Sequence, residues 1–99
     1  MIIRQGDVMM RWVGPSESTE EPKSLTLAIG EESGHSHVLR GGVDVLERDG
    51  RRVVDVPTDT EVVIEGMPWR HAPVKLITGR WEFWIERTYS PEAIRNVQD

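Results

Sequence analysis

Ninety-nine residues make one domain, which at this size buries about two-thirds of the surface its unfolded chain exposes. With no cysteine, a disulfide framework and a thiolate metal site are both excluded. The formal charge of -5 opposes a nonspecific hold on nucleic acid, which depends on Lys and Arg neutralising phosphates, but it leaves room for a local basic patch.

In chain order, Met1-Ile2-Ile3-Arg4-Gln5-Gly6-Asp7 is charged early and holds no apolar run of signal-sequence or membrane-span length. A cytoplasmic protein with no membrane partner is expected. Val8, Met10 and Trp12 alternate with Met9, Arg11 and Val13 in the period of a strand. Residues 14-23 read as an exposed acidic loop and the most disordered part of the chain. Leu25, Leu27 and Ile29 resume the alternation, and Glu31 to Leu39 is a turn running into a strand that Gly41-Gly42 closes. Val43 to Glu47 and Val53 to Val56 flank Asp49-Gly50, a dipeptide favoured in tight hairpins because both central residues need positive φ.

Thr60 to Glu65 is β-branched and strand-like, and Gly66 to Pro73 is a loop whose two prolines cannot donate to a ladder. Val74 to Ile77 is a short strand, Thr78-Gly79 a turn, and Arg80 to Thr88 a regular strand. On the last, Trp81, Phe83 and Ile85 form a core face, while Arg80, Glu82, Trp84 and Glu86 face the other way. Trp84 among charges implies cover by the C-terminal helix or by a second subunit, making it a candidate homodimer contact. Ser90-Pro91-Glu92 starts a short helix over residues 91-97, with serine as cap and proline in the first helical position. Seven or eight strands separated by turns predict an all-β fold over residues 1-99, a mainly antiparallel small barrel or sandwich.

The chemistry centres on His35 and His37. On a strand, positions i and i+2 share a face, so their imidazoles project side by side and are placed to share a divalent ion. Imidazole suits zinc, iron, nickel or copper, and His71, Glu31 or Glu32 would supply a third ligand and leave open positions. The alternative is a pair that hydrogen-bonds carbonyls in a turn. Gly30 and Gly34 either permit positive φ or let backbone N–H groups reach an anion to which the histidines donate. Trp69, Arg70 and His71 lie between two prolines, forming either one wall of a ligand pocket, with planes suited to stacking a base, or a plug in the barrel's end. Nucleophilic catalysis has little support: Ser33 and Ser36 lack the strained glycine-flanked elbow of hydrolases.

Gly30-Glu31-Glu32-Ser33-Gly34-His35-Ser36-His37-Val38-Leu39 resembles a group of small bacterial and phage proteins of unassigned function that share a G-E-x-[ST]-G-H-x-H-x-L signature. His71-Ala72-Pro73-Val74 is similar to their H-x-P-[IV], and Arg87-Thr88-Tyr89-Ser90-Pro91 to their R-E-Y-x-P, with Thr88 in place of the glutamate. This resemblance implies that His35, His37 and His71 form one site. The H-x-H unit on β structure also resembles cupins, whose metal is held by such a pair, a glutamate and a later histidine.

Three functions follow as expectations. The first is a binding domain with a histidine-centred site for a metal ion or a small anion or other ligand, made by His35, His37 and His71 and walled by Trp69 and Arg70. The second, implied by the phage members of the group, is a protein that sequesters a nucleotide signal or inhibits a host defence protein. The third is a cupin-like metalloenzyme, although no general base stands out.

Overall fold

The computed structural model describes residues 1-29, 36-66 and 71-86. Eight strands are present among them: β1 (Ile2–Gln5), β2 (Val8–Gly14), β3 (Lys23–Ile29), β4 (Ser36–Arg48), β5 (Arg51–Val56), β6 (Thr60–Glu65), β7 (Val74–Leu76) and β8 (Gly79–Ile85). All pairings are antiparallel, in the order β1-β2-β8-β5-β4-β6-β7, with β3 on the other side of β4. The result is the all-β, nearly closed barrel that the alternating patterns predict. The helix expected over 91-97 lies outside the described residues.

The strand count agrees with expectation for a different reason. Gly41-Gly42 does not end a strand: β4 runs unbroken for 13 residues, pairing with β3 and β6 in its first half and with β5 in its second. Gly42 permits that passage because a Cβ there would lie 2.6 Å from Leu39 Cδ2 and 2.7 Å from Val54 Cγ1. The missing side chain lets two layers of the core meet across the strand. The strand not anticipated is β1, joined to β2 through the two-residue turn Gly6-Asp7 with Gln5 opposite Val8. Gly6 has φ 58°, as required at the first central position of a type II′ hairpin. The Asp49-Gly50 hairpin forms as predicted, with φ of 53° and 75° and Arg48 opposite Arg51.

Val8, Met10, Leu25, Leu39, Val54, Val56, Val62, Leu76, Trp81 and Phe83 fill the barrel. Burying each larger apolar side chain contributes about 1.5–3 kcal/mol. The face predicted for β8 holds at Trp81 and Phe83, whereas Ile85, the last residue of the strand, reaches the barrel's rim and is exposed. Trp84 on the outer face is half-buried: the Arg51 guanidinium lies 4.5 Å over its ring, and its indole N–H donates to Glu86 Oε2 at 3.2 Å.

The acidic loop is solvent-facing at Glu17, Thr19, Glu20 and Glu21, but the expectation of disorder is corrected. Asp55 has no exposed surface, and its Oδ2 accepts the backbone N–H groups of Glu17 (3.1 Å) and Ser18 (2.8 Å). The same carboxylate receives two hydrogen bonds from Arg80, Nε to Oδ1 at 2.8 Å and Nη2 to Oδ2 at 3.0 Å. The Arg80 bond and the two loop N–H groups hold the Asp55 carboxyl below its ordinary range against the opposing effect of burial. One buried anion fixes the loop to the barrel wall. Composition could not reveal this, because the fixing group lies 37 residues downstream of Ser18.

A candidate ligand site at the barrel seam

The ladder order ends at β1 on one side and β7 on the other, and the gap between them is bridged by Gln5, a buried side chain from β1. Its Nε2 donates to Val62 O on β6 at 3.1 Å and to Ala72 O, just before β7, at 2.9 Å. A buried amide satisfying two carbonyls that would otherwise lose their water costs the fold little and ties its seam.

His37 follows Ser36 at the start of β4, paired with Ala28 of β3 on one side and Ile64 of β6 on the other. This central position carries its ring inward, and only 4% of the residue is exposed. His37 Nδ1 lies 3.0 Å from Gln5 Oε1. Both N–H groups of the Gln5 amide are engaged by carbonyls, which can only accept, so its Oε1 is the acceptor facing His37. His37 Nδ1 therefore carries the proton of this contact. An N–H held by a fixed acceptor is how metal-ligating histidines are commonly oriented.

His71 lies in the connection between β6 and β7, and its ring faces that of His37 with centroids 6.1 Å apart and planes at 28°. Its Nε2 is buried and has no hydrogen-bond partner among the described residues. Gly6, at the turn beneath both rings, completes the arrangement. A Cβ on Gly6 would lie 2.9 Å from His71 Nε2 and 3.4 Å from His37 Cε1. The missing side chain leaves the Gly6 side of the two imidazoles free of any Cβ, a narrow notch that even a methyl would overfill. Asp7, the next residue of the turn, is also buried, and its backbone carbonyl accepts the Glu86 N–H at 2.9 Å, fastening the turn to the end of β8.

Two of the three expected histidines, His37 and His71, are thus brought together from segments far apart in the sequence. His35, Trp69 and Arg70 lie outside the described residues, as do Glu31 and Glu32. Among the described residues, no group of three His, Cys, Asp or Glu side chains converges in a way that could hold a metal ion. The described part of the site offers two imidazoles. Gln5, Gly6 and Asp7 are the site residues that sequence reasoning missed. Their signal was present in a glycine-aspartate pair between a short apolar run and Val8, a hairpin turn that went unread.

A family model described as a domain of unknown function (DUF8820) matches residues 4–86, which include β1 to β8 apart from Ile2 and Ile3 as well as both described histidines. No curated protein and no solved structure matches the chain. Among the described residues, no helix is long and apolar enough to cross a membrane.

Proposed function

We propose, on the premise that the chain belongs to the DUF8820 family of domains of unknown function, that it is a small metal-binding β domain whose divalent ion sits at the barrel seam on His37 and His71, with His35 as a third ligand. The observation that carries this reading is His71 Nε2, a buried nitrogen without a partner among the described residues, beside the His37 ring and over the notch at Gly6. Leaving such an atom unsatisfied costs about 1–3 kcal/mol, an expense that a ligand would offset. Three imidazoles select zinc, iron, nickel or copper over harder ions and leave a coordination position for water or a small anion.

The role of each residue follows from its surroundings. His37 Nε2 coordinates because Gln5 holds the proton on Nδ1. His71 contributes the second nitrogen. Gly6 keeps the space clear, since any side chain there would fill it. Sequence places His35 two residues before His37, close enough to complete the set. Binding rather than catalysis is the activity this arrangement supports.

The test is calorimetric titration of zinc into protein purified without a nickel column and stripped with chelator. One ion per chain is expected, with affinity reduced about 100-fold or more in His37→Ala and His71→Ala and by a smaller factor in His35→Ala. No binding, or binding unchanged in both His37→Ala and His71→Ala, would remove the metal reading. Thermal stabilisation by inorganic phosphate, with none by zinc, iron, nickel or copper, would replace the ion with an anion at the same notch.

A further inference from the structure

The outer face of the sheet formed by β1, β2, β8, β5 and the second half of β4 carries a charge pattern opposite to that of the whole chain. The pairing register places Arg4, Met9, Trp84, Arg51 and Arg48 in one cross-strand row, each opposite the next. Alternation sets this row outward, because Gln5, Val8, Met10 and Phe83, the adjacent positions on the same strands, are buried. With strands about 4.8 Å apart, four steps make a strip about 19 Å long. Arg11 flanks it in the neighbouring row, opposite Glu82.

Two carboxylates lie at the strip: Glu82 Oε1 accepts from Arg11 at 2.7 Å and from Arg51 at 3.3 Å, and Glu86 Oε2 accepts the Trp84 indole N–H at 3.2 Å. Arg4 and Arg48 are exposed and form no ion pair among the described residues; Arg4 donates from Nε to the Gly6 carbonyl at 2.8 Å, which leaves its charge uncompensated. Arg48 and Arg51 stand directly opposite each other across the hairpin, a like-charge pair that destabilises a ladder in the absence of an anion. The acidic loop is pinned at Asp55 and Arg80, four residues from Trp84 along the β8–β5 ladder, so negative and positive charge are separated by about 13 Å of strand. At the centre of the strip, the Arg51 guanidinium is stacked on Trp84.

We propose that this face binds single-stranded nucleic acid, with the arginines holding successive phosphates and the Trp84–Arg51 stack receiving a base. Planar aromatic and guanidinium groups on a sheet surface, set among cations, are the recurrent means by which β domains hold unstacked strands. An acidic peptide would use the charges but gain little from the stack. The overall charge of -5 weakens long-range attraction, so the interaction is short-ranged and strongly salt-dependent. The strip does not depend on the metal reading: none of its six residues is a proposed ligand.

The experiment is fluorescence anisotropy with labelled 12-nucleotide oligo-dT and oligo-rU, a duplex of equal length and a poly-glutamate peptide, all at low salt with the intact chain. Micromolar binding to at least one single strand is expected, with weaker binding to the duplex and the peptide. About three phosphates neutralised would give a slope of about -2 in log K against log salt. Arg4→Glu combined with Arg48→Glu should weaken binding at least tenfold while leaving the melting temperature within a few degrees of the parent. Trp84→Leu, compared with Trp84→Phe, separates stacking from charge, because only the leucine should lose affinity. No binding at low salt, equal binding of poly-glutamate, or full affinity in the double arginine variant would each overturn the proposal.

Discussion

The Gln5 carboxamide and the His37 imidazole meet at 3.0 Å in a buried contact that links the closing seam of the barrel to its candidate ligand. One amide does three jobs there. It donates to Val62 O and Ala72 O, joining β1 to β6 and to the start of the β7 segment, and it accepts the Nδ1 proton of His37. Gln5→Leu keeps approximate volume but leaves two carbonyls and one imidazole N–H without that partner. Two of these groups, Val62 O and the His37 N–H, are fully buried and each costs about 1–3 kcal/mol when orphaned, so a loss of about 2–6 kcal/mol is expected in urea denaturation. Nitrogen-15 spectra of the parent at neutral pH, without metal, should show His37 protonated on Nδ1. Protonation on Nε2 alone would refute the assigned tautomer.

Gly6 and Gly50 both sit at positive φ, 58° and 75°, but only Gly6 has neighbours in the space a side chain would occupy. Gly50→Ala should therefore show little beyond the backbone penalty for the left-handed region, about 1–2 kcal/mol. Gly6→Ala adds a methyl 2.9 Å from His71 Nε2 and should lose more stability than Gly50→Ala. It should also lose zinc binding, whereas Gly50→Ala should retain it. Parallel urea and zinc titrations of the two variants make the comparison, and equal behaviour would mean that the notch is not the binding space.

How far the site was legible in the chain depends on which kind of signal each residue carries. Period-two alternation located β2, β3, β5, β6 and β8, because a strand with one buried face writes that face into every second residue. It failed at Gly41-Gly42, where two glycines look like a stop but the strand continues and Gly42 serves a close approach between Leu39 and Val54. It failed again at β1, where Ile2 and Ile3 are too few to set a period and Gln5, a polar residue, points into the core. His37 and His71 were legible because histidine is scarce and chemically distinctive. Their dependence on Gln5 and Gly6 was not, since a glutamine and a glycine acquire that meaning only when the barrel closes and brings β1 against β6.

Asp55 makes the fold acid-sensitive in a direction that can be worked out. Its folded pKa lies below the ordinary value of 3.8, chiefly because Arg80 hydrogen-bonds to the carboxylate. Above that ordinary value, the carboxylate is ionised in both folded and unfolded states and its stabilisation is fully present. As pH falls below it, the unfolded chain takes up the proton first and the stabilisation is lost progressively towards the depressed folded value. Asp44, held low by Arg52, acts in the same sense. Asp55→Ala should lower the melting temperature at pH 7 on the order of 10 °C, since it strands Arg80 and two loop N–H groups. The gap between parent and variant should narrow between pH 4 and pH 3. A gap that stays constant to pH 3 would show that the ion pair does not set the acid limit.

His71 separates stability from binding most sharply. A residue that only packs should cost stability when replaced, but the buried Nε2 of His71 makes no hydrogen bond among the described residues, so removing it takes away an uncompensated polar atom. His71→Leu should leave the metal-free protein as stable as the parent or more stable, by up to about 1 kcal/mol. The same substitution should abolish the zinc-dependent rise in melting temperature expected of the parent. The stabilisation behind that rise comes from binding to the folded state alone and would be about 2.7 kcal/mol at an ion concentration 100 times the Kd. Residues kept for a ligand at the expense of the free fold show this combination. A His71→Leu protein that is clearly destabilised without metal, or that still gains stability from zinc, would assign His71 to the core instead.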